Sequence, residues 1–216
     1  MSLTIHGIPA SRALRPLWAA AELGLAFEHV PTPFAGGATR TPEHLALNPN
    51  GHIPVLIDRR PEGDVTVWES MACALYLARV HGEVDGVSIS PCTAREEAEA
   101  LRWSFWTVTE CEVDALTVLM HRVAMPEERR KPALADAAER RLAVPLRVLE
   151  AHLQTQQSQG QAWLAAERFT VADLCVASVL MWARASRPLM AAHPLVHAWV
   201  QRCLARPAYR AVRADG

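Results

Sequence analysis

The stretch Asn48-Pro49-Asn50-Gly51-His52-Ile53-Pro54-Val55-Leu56, with Glu69-Ser70 downstream of it, decides how this chain is read. An Ile-Pro bond leading into an apolar strand is a candidate cis peptide, because the tertiary amide of proline removes most of the usual penalty. The residue before such a proline is held extended, so its N–H and C=O can face outward and pair with another peptide backbone. Glu69-Ser70 then opens a helix, whose first N–H groups have no partner within the helix and favour an anion. One half of this arrangement reads a peptide backbone and the other reads a carboxylate. Together they suggest a pocket for a small acidic peptide.

Working outward, residues 2–6 alternate and read as a first strand. A helix over 11–23 follows, closed by Gly24 in a left-handed cap, with Pro16 removing one early hydrogen bond. Residues 27–30 read as a second strand, and Thr41-Pro42 as an N-cap with proline at the first position of a short helix. Strands at 55–58 and 65–68 flank the turn residues Pro61-Glu62-Gly63-Asp64, which predicts an antiparallel hairpin, and the helix after it covers 69–81. Residues 82–92 carry no helical period and read as a linker. Beyond them the pattern is helical. The capping box Thr93-Ala94-Arg95-Glu96 opens a helix to about residue 123, and a second helix covers 132–156 with Pro145 predicted to kink it. Phe169-Thr170-Val171-Ala172-Asp173-Leu174 combines a capping box between Thr170 and Asp173 with a hydrophobic staple between Phe169 and Leu174. Residues 193–209 read as one further capped helix, with Leu195, Trp199 and Cys203 on one face.

Composition narrows the function classes. The 216 residues are 50% hydrophobic and 21% charged, ordinary for a soluble globular protein of one large or two modest domains. A formal net charge of −1 argues against nucleic-acid binding, and the basic run Arg129-Arg130-Lys131 is offset by Glu127-Glu128. Five cysteines without a CxxC or metal-like spacing fit a reducing compartment. The first ten residues do not form a signal peptide, and the apolar run 176–183 is too short to cross a bilayer, so the expected location is cytoplasmic.

The peptide-reading turn, the Glu-Ser helix start and the helical second half resemble the glutathione transferase family, in its serine-type, bacterial-like cytosolic form. The resemblance spans nearly the whole chain. It implies an α/β thioredoxin-like N-terminal domain over 1–81, a linker over 82–92 and an all-α C-terminal domain over 93–216. It implies a glutathione transferase, with glutathione as co-substrate, no cofactor and no metal, acting on a small hydrophobic electrophile. It also implies a homodimer, one subunit's first domain lying against the other's helical domain; neither nucleic acid nor membrane is an expected partner.

An enzyme with a thiol substrate must stabilise the thiolate, since a free thiol is mostly protonated at neutral pH. A hydroxyl at a helix start suits this by donating a charge-assisted hydrogen bond. Ser11 sits at the junction of the first strand and first helix; by itself it reads as a plain N-cap, but by the resemblance it is the activating hydroxyl. Tyrosine-type enzymes carry their tyrosine nearer the first strand, where this chain has His6 and Gly7. Cysteine-type members carry cysteine where it has Ala10, so a mixed-disulfide mechanism is not expected. His52, where many relatives have lysine, reads as the partner of the glycine carboxylate or as a surface loop residue. Ile53, before Pro54, offers its backbone to the cysteinyl residue. Ser70 takes the γ-glutamyl carboxylate and Glu69 faces the ammonium, unless the pair is only a cap. Arg12 adds positive potential or is solvated. Trp103, Trp106, Thr107 and Glu110 share one side of the helix opened by Thr93 and read as a second-substrate pocket between the domains, or as core or dimer contact. The absence of a Ser-Ser-Cys run at Ala10-Ser11-Arg12 counts against a zeta-type isomerase. A non-catalytic glutathione-binding or scaffold protein and a glutathione-dependent isomerase or peroxidase remain the alternatives. The Leu164-Ala165-Ala166-Glu167 turn departs from the family, where glycine commonly precedes the Glu, and Ala166 is a candidate for strain.

Overall fold

A computed structural model describes residues 2–82 and 88–214. The chain divides into two compact units, Met1–Ser90 together with Arg206–Gly216, and Pro91–Ala205. The first contains a four-stranded sheet in the order β2-β1-β3-β4, formed by β1 (Ser2–His6), β2 (Glu28–Val30), β3 (Val55–Arg59) and β4 (Val65–Trp68). β1 runs parallel to β2, pairing Ile5 with His29, and antiparallel to β3, pairing Ile5 with Leu56. β3 and β4 form the expected hairpin, with Val55 opposite Trp68. Helix α1 (Leu14–Glu22) supplies the parallel crossover, α2 (Pro42–Leu47) lies in the connection to β3, and α3 (Ser70–Val80) follows β4 and packs on α1. This is the thioredoxin-like order. Its core holds Leu3, Ile5, Leu17, Trp18, Leu56 and Leu77, all buried.

Helix α1 starts three residues later than the sequence predicts. Its N-cap is Ala13, without a side-chain cap, and residues 9–13 form turns. The reason is local: the Ser11 hydroxyl accepts the Ala13 N–H at 3.1 Å and competes with helical bonding. Gly24 takes the left-handed φ of 64° as expected. The side chain of Thr41 accepts the His44 N–H at 3.2 Å, completing the cap at Pro42.

A buried carboxylate fixes the far end of α3. Asp58 on β3 accepts from Tyr76 Oη at 2.8 Å, His81 Nε2 at 2.8 Å and Arg60 Nη1 at 3.2 Å, all on Oδ2. Burial pushes this carboxyl up, but the hydrogen bonds from His81, Tyr76 and Arg60 outweigh it and hold it below its ordinary value. A group whose value is depressed by folding stabilises fully above its unfolded value near 4, and that contribution is lost as pH falls through the folded value. Asp58→Ala is therefore expected to lower the unfolding free energy by about 3 kcal/mol at pH 7, with the difference from wild type shrinking below about pH 4. Urea unfolding at the two pH values checks this; a difference that grows on acidification would contradict the assignment.

The second unit is helical. The helix expected to run to about residue 123 forms as one continuous helical run, α4 (Ala94–Trp106) and α5 (Glu112–Leu119), with wider π-helical turns at Thr107–Cys111 and Met120–Ala124. Then come α6 (Pro132–Ser158), which passes through Pro145, and α7 (Val171–Leu180), every residue of which is buried. Short α8 (Arg187–Ala191) leads to α9 (Pro194–Leu204). The Thr170–Asp173 capping box forms at the start of α7. Among the described residues Glu69 alone, glycine apart, has positive φ, so the Ala166 turn does not need the conformation glycine favours.

Two expectations change at the C-terminus. Residues 193–209 form two helices, α9 and α10 (Pro207–Ala214), because Pro207 lacks the N–H that would continue the first but suits the start of the second. The segment from Arg206 onward belongs to the first unit, not to the helical domain expected over 93–216. Arg206 grips Glu22 of α1 with two bonds of 2.7 Å, Tyr209 meets Trp18 edge-on at 5.0 Å, and Arg213 Nη1 donates to the Pro9 carbonyl at 3.0 Å. Of the linker expected over 82–92, residues 83–87 lie outside the described residues.

Candidate active site

Three backbone features converge at one end of the first unit. The first is the turn between β1 and α1. Gly7, with φ of 138°, lies so close to Ala13 that a Cβ on it would come within 2.4 Å of the Ala13 Cβ and 3.5 Å of the Ile53 Cβ. Only glycine permits this approach, and it brings the Ser11 turn against the Ile53 loop. Ser11 is half-buried; its hydroxyl donates to the Ile8 carbonyl at 2.7 Å while accepting from Ala13 N–H.

The second is the loop before β3. Asn48 makes a local turn by accepting the Asn50 N–H at 3.1 Å. Its amide nitrogen and His44 Nε2 both donate to the His52 carbonyl, at 2.9 and 3.0 Å. The His52 backbone is thus fixed while its side chain is exposed. Gly51, at φ 61°, leaves no room for a Cβ, which would meet Arg40 Nη1 at 2.6 Å and the Thr39 carbonyl at 2.8 Å. The Ile53–Pro54 bond is cis. Among the described residues the Ile53 N–H and C=O form no hydrogen bond, so both are available to a ligand's backbone.

The third is the start of α3. Glu69, exposed, holds φ 72° and ψ 115°, a sparsely populated conformation that costs about 1–3 kcal/mol and tends to persist where a ligand is clamped. Ser70, the first helical residue, is buried, and its oxygen accepts from Arg15 Nη1 at 2.6 Å. Arg15 on α1 is itself 2% exposed.

The strand register sets the turns at Ser11, Ile53–Pro54 and Ser70 at one end of the sheet, where Gly7 brings the Ser11 turn against Ile53 and Arg15 ties α1 to Ser70, while the side chains of His52, Glu69 and Arg12 are exposed. Two cations were missed by the sequence reading. Arg15 had a visible signal, since it interrupts the apolar face of α1 made by Leu14, Leu17 and Trp18. Arg40 had none, because its place beside the His52 loop follows from the close approach at Gly51; it donates to the Asn50 carbonyl at 3.2 Å. His6, at the end of β1, is held below its ordinary value by burial and then by the neighbouring His44, which keeps it neutral at pH 7.

The residues expected to line a second pocket divide. Trp103 and Thr107 are buried, Trp103 against His152 with rings 4.7 Å apart. Trp106 is half-buried, stacked edge-on to Trp103 at 5.0 Å, and Glu110 is exposed. Thiol chemistry by the protein itself has little support. Burial pushes Cys73 and Cys111 up to about 12, leaving both protonated, and Cys175 and Cys203 are also buried; the exposed Cys92 lies in the second unit, where Arg168 Nη2 donates to its sulfur at 3.0 Å.

The family model described as the glutathione S-transferase N-terminal domain matches residues 1–79, and that of the glutathione S-transferase C-terminal domain matches residues 111–207. The chain is 33% identical over 217 residues to glutathione S-transferase 3 of Zea mays, covering 96% of this chain and 91% of that protein. It is 31% identical over 177 residues to a disulfide-bond oxidoreductase of Escherichia coli, covering 80% and 76%. Among solved structures, glutathione S-transferase III in its apo form aligns with a TM-score of 0.81 at 32% identity, over 99% of this chain and 96% of the other.

Proposed function

This chain belongs to the glutathione S-transferase family, and from that premise we propose that it binds glutathione on its first unit and activates the thiol for attack on small electrophiles. The observation that carries the reading is the convergence of an unpaired Ile53 backbone, the Ser70 helix start and the Ser11 hydroxyl, tied together through Gly7 and the Arg15–Ser70 bond. The cysteinyl residue pairs with the Ile53 N–H and C=O. The γ-glutamyl carboxylate meets the first N–H groups of α3 and the Ser70 hydroxyl, while Glu69 faces its ammonium. His52 takes the glycine carboxylate, with Arg40 and Arg12 adding positive potential.

For the sulfur, the Ser11 hydroxyl turns its proton from the Ile8 carbonyl to the thiolate. The Ala13 N–H stays on the oxygen and strengthens it as a donor. The thiol proton passes to solvent, and the thiolate then displaces halide from an aryl halide, or adds to an activated alkene or opens an epoxide whose anion takes a proton from water, with no covalent enzyme intermediate. A binding protein without turnover is the second reading, favoured by the Ser11 proton already being engaged at 2.7 Å. Titration calorimetry with glutathione, followed by turnover with a panel of aryl halides, activated alkenes, epoxides and organic hydroperoxides, separates the two. Tight binding with no turnover on any member selects the second reading; no binding rejects both.

The compartment we infer is the cytoplasm, in keeping with five free cysteines. Among the described residues no helix is long and apolar enough to cross a membrane. The proposed homodimer has a candidate face on α4 and the π-helical turn that follows it, where Leu101, Phe105 and Val108 are exposed at helical spacing, Phe105 by 65%. Sedimentation should give twice the 23.8 kDa chain mass; a monomer at micromolar concentration would remove the dimer.

A further inference from the structure

We propose that Arg15 is a positioning residue that fixes the Ser70 hydroxyl as a donor and so makes the site select a carboxylate at the γ-glutamyl end. This rests on the glutathione-binding reading. A guanidinium can only donate, so in the 2.6 Å contact between Arg15 Nη1 and Ser70 Oγ the serine oxygen is the acceptor. With one lone pair held by the cation, the hydroxyl proton is turned away from Arg15. Among the described residues no group accepts that proton. It is therefore left to an incoming acceptor, at the same place where the first N–H groups of α3 are unpaired.

The polarity matters because a serine without such a neighbour is ambivalent. Its oxygen would serve a carboxamide nitrogen or an ammonium as readily as its proton serves a carboxylate. Arg15 removes that choice. Its positive charge behind the oxygen also makes the hydroxyl a stronger donor, and unlike lysine it stays charged when buried. The bond spans α1 to α3, so the helix that follows the Ser11 turn sets the donor pattern of the carboxylate subsite.

The test compares the dissociation constants of glutathione and of the analogue whose γ-glutamyl α-carboxylate is a carboxamide, for wild type, Arg15→Met, Arg15→Lys, Ser70→Ala and Arg15→Met/Ser70→Ala. Wild type should prefer the carboxylate, and Arg15→Met should shrink that preference about 10-fold. Arg15→Lys should restore part of it, because an ammonium can still donate to Ser70 Oγ. Ser70→Ala should match Arg15→Met, and the double variant should lose nothing more. Equal weakening of both ligands, with the ratio unchanged, would mean that Arg15 only supports the fold, and this overturns the proposal. A wild-type ratio in Ser70→Ala overturns it as well, whether or not the Arg15 variants fold. Either result leaves glutathione binding intact, whereas failure of wild type to bind glutathione at all overturns both readings.

Discussion

Replacing Asp173 with alanine will lower the unfolding free energy of the helical unit by about 4 kcal/mol. The carboxylate has no exposure to solvent and gathers four donors: the Leu164 N–H at 2.9 Å, the Thr170 N–H at 3.0 Å, the Thr170 hydroxyl at 3.3 Å and Trp199 Nε1 at 3.0 Å. It thus holds three segments together, the loop before α7, the start of α7 and the middle of α9. Alanine leaves those donors buried without partners, each at a penalty of about 1–3 kcal/mol, and relaxation recovers only part of it. The midpoint of thermal unfolding should fall by more than about 8 °C. A drop of less than about 2 °C would show that the network does not hold the unit.

Burial pushes the Asp173 carboxyl up to about 6, against the pull of its donors. The folded form holds this proton more tightly than the unfolded chain does. The contribution is therefore full at low pH and is lost as pH rises through about 6. The stability difference between wild type and Asp173→Asn should widen as pH falls from about 6 towards 4, a slope opposite in sign to that expected for Asp58.

The second large effect is on catalysis. Ser11→Ala removes the hydroxyl assigned to the thiolate, and a charge-assisted hydrogen bond is worth about 1.5–3 kcal/mol. At neutral pH, kcat/KM for glutathione conjugation should fall about 10- to 100-fold. The rising limb of the pH profile should move up by about one to two units, so the loss shrinks in alkaline solution as the thiol ionises unaided. Ser11→Thr, which keeps a hydroxyl, should retain part of the rate. The same oxygen accepts the Ala13 N–H, so the alanine variant should also lose about 1 kcal/mol of stability. An unchanged rate and an unmoved pH profile would remove Ser11 from the chemistry and favour a binding role.

Local signals explain what was legible before folding. Pro54 constrains its own peptide bond and the residue before it, so both the cis bond and the backbone of the half-buried Ile53, without a hydrogen-bond partner among the described residues, follow from two adjacent residues. Thr41-Pro42, Gly24 and the Thr170–Asp173 pair likewise act within one helical turn, and each forms where the sequence puts it. The start of α1 went differently because the Ser11 hydroxyl competes for a backbone N–H two residues on. Aromatic spacing on the helix opened by Thr93 was a weaker guide. It places Trp103, Trp106, Thr107 and Glu110 on one side, but not whether that side meets ligand or core, and Trp103 and Thr107 went to the core.

Periodicity, caps and turn residues in the sequence determined the strand and helix order, the peptide-reading turn and the helix start that attracts an anion, since each depends on neighbours a few positions apart. Packing alone decided that Arg15 reaches Ser70 across 55 positions, that Arg40 stands beside Gly51, and that Arg206 brings the last helix back to Glu22 in the first unit. Such pairings depend on how the backbone carries distant residues into one low-dielectric space, where a charge must find a partner. No local pattern encodes that meeting.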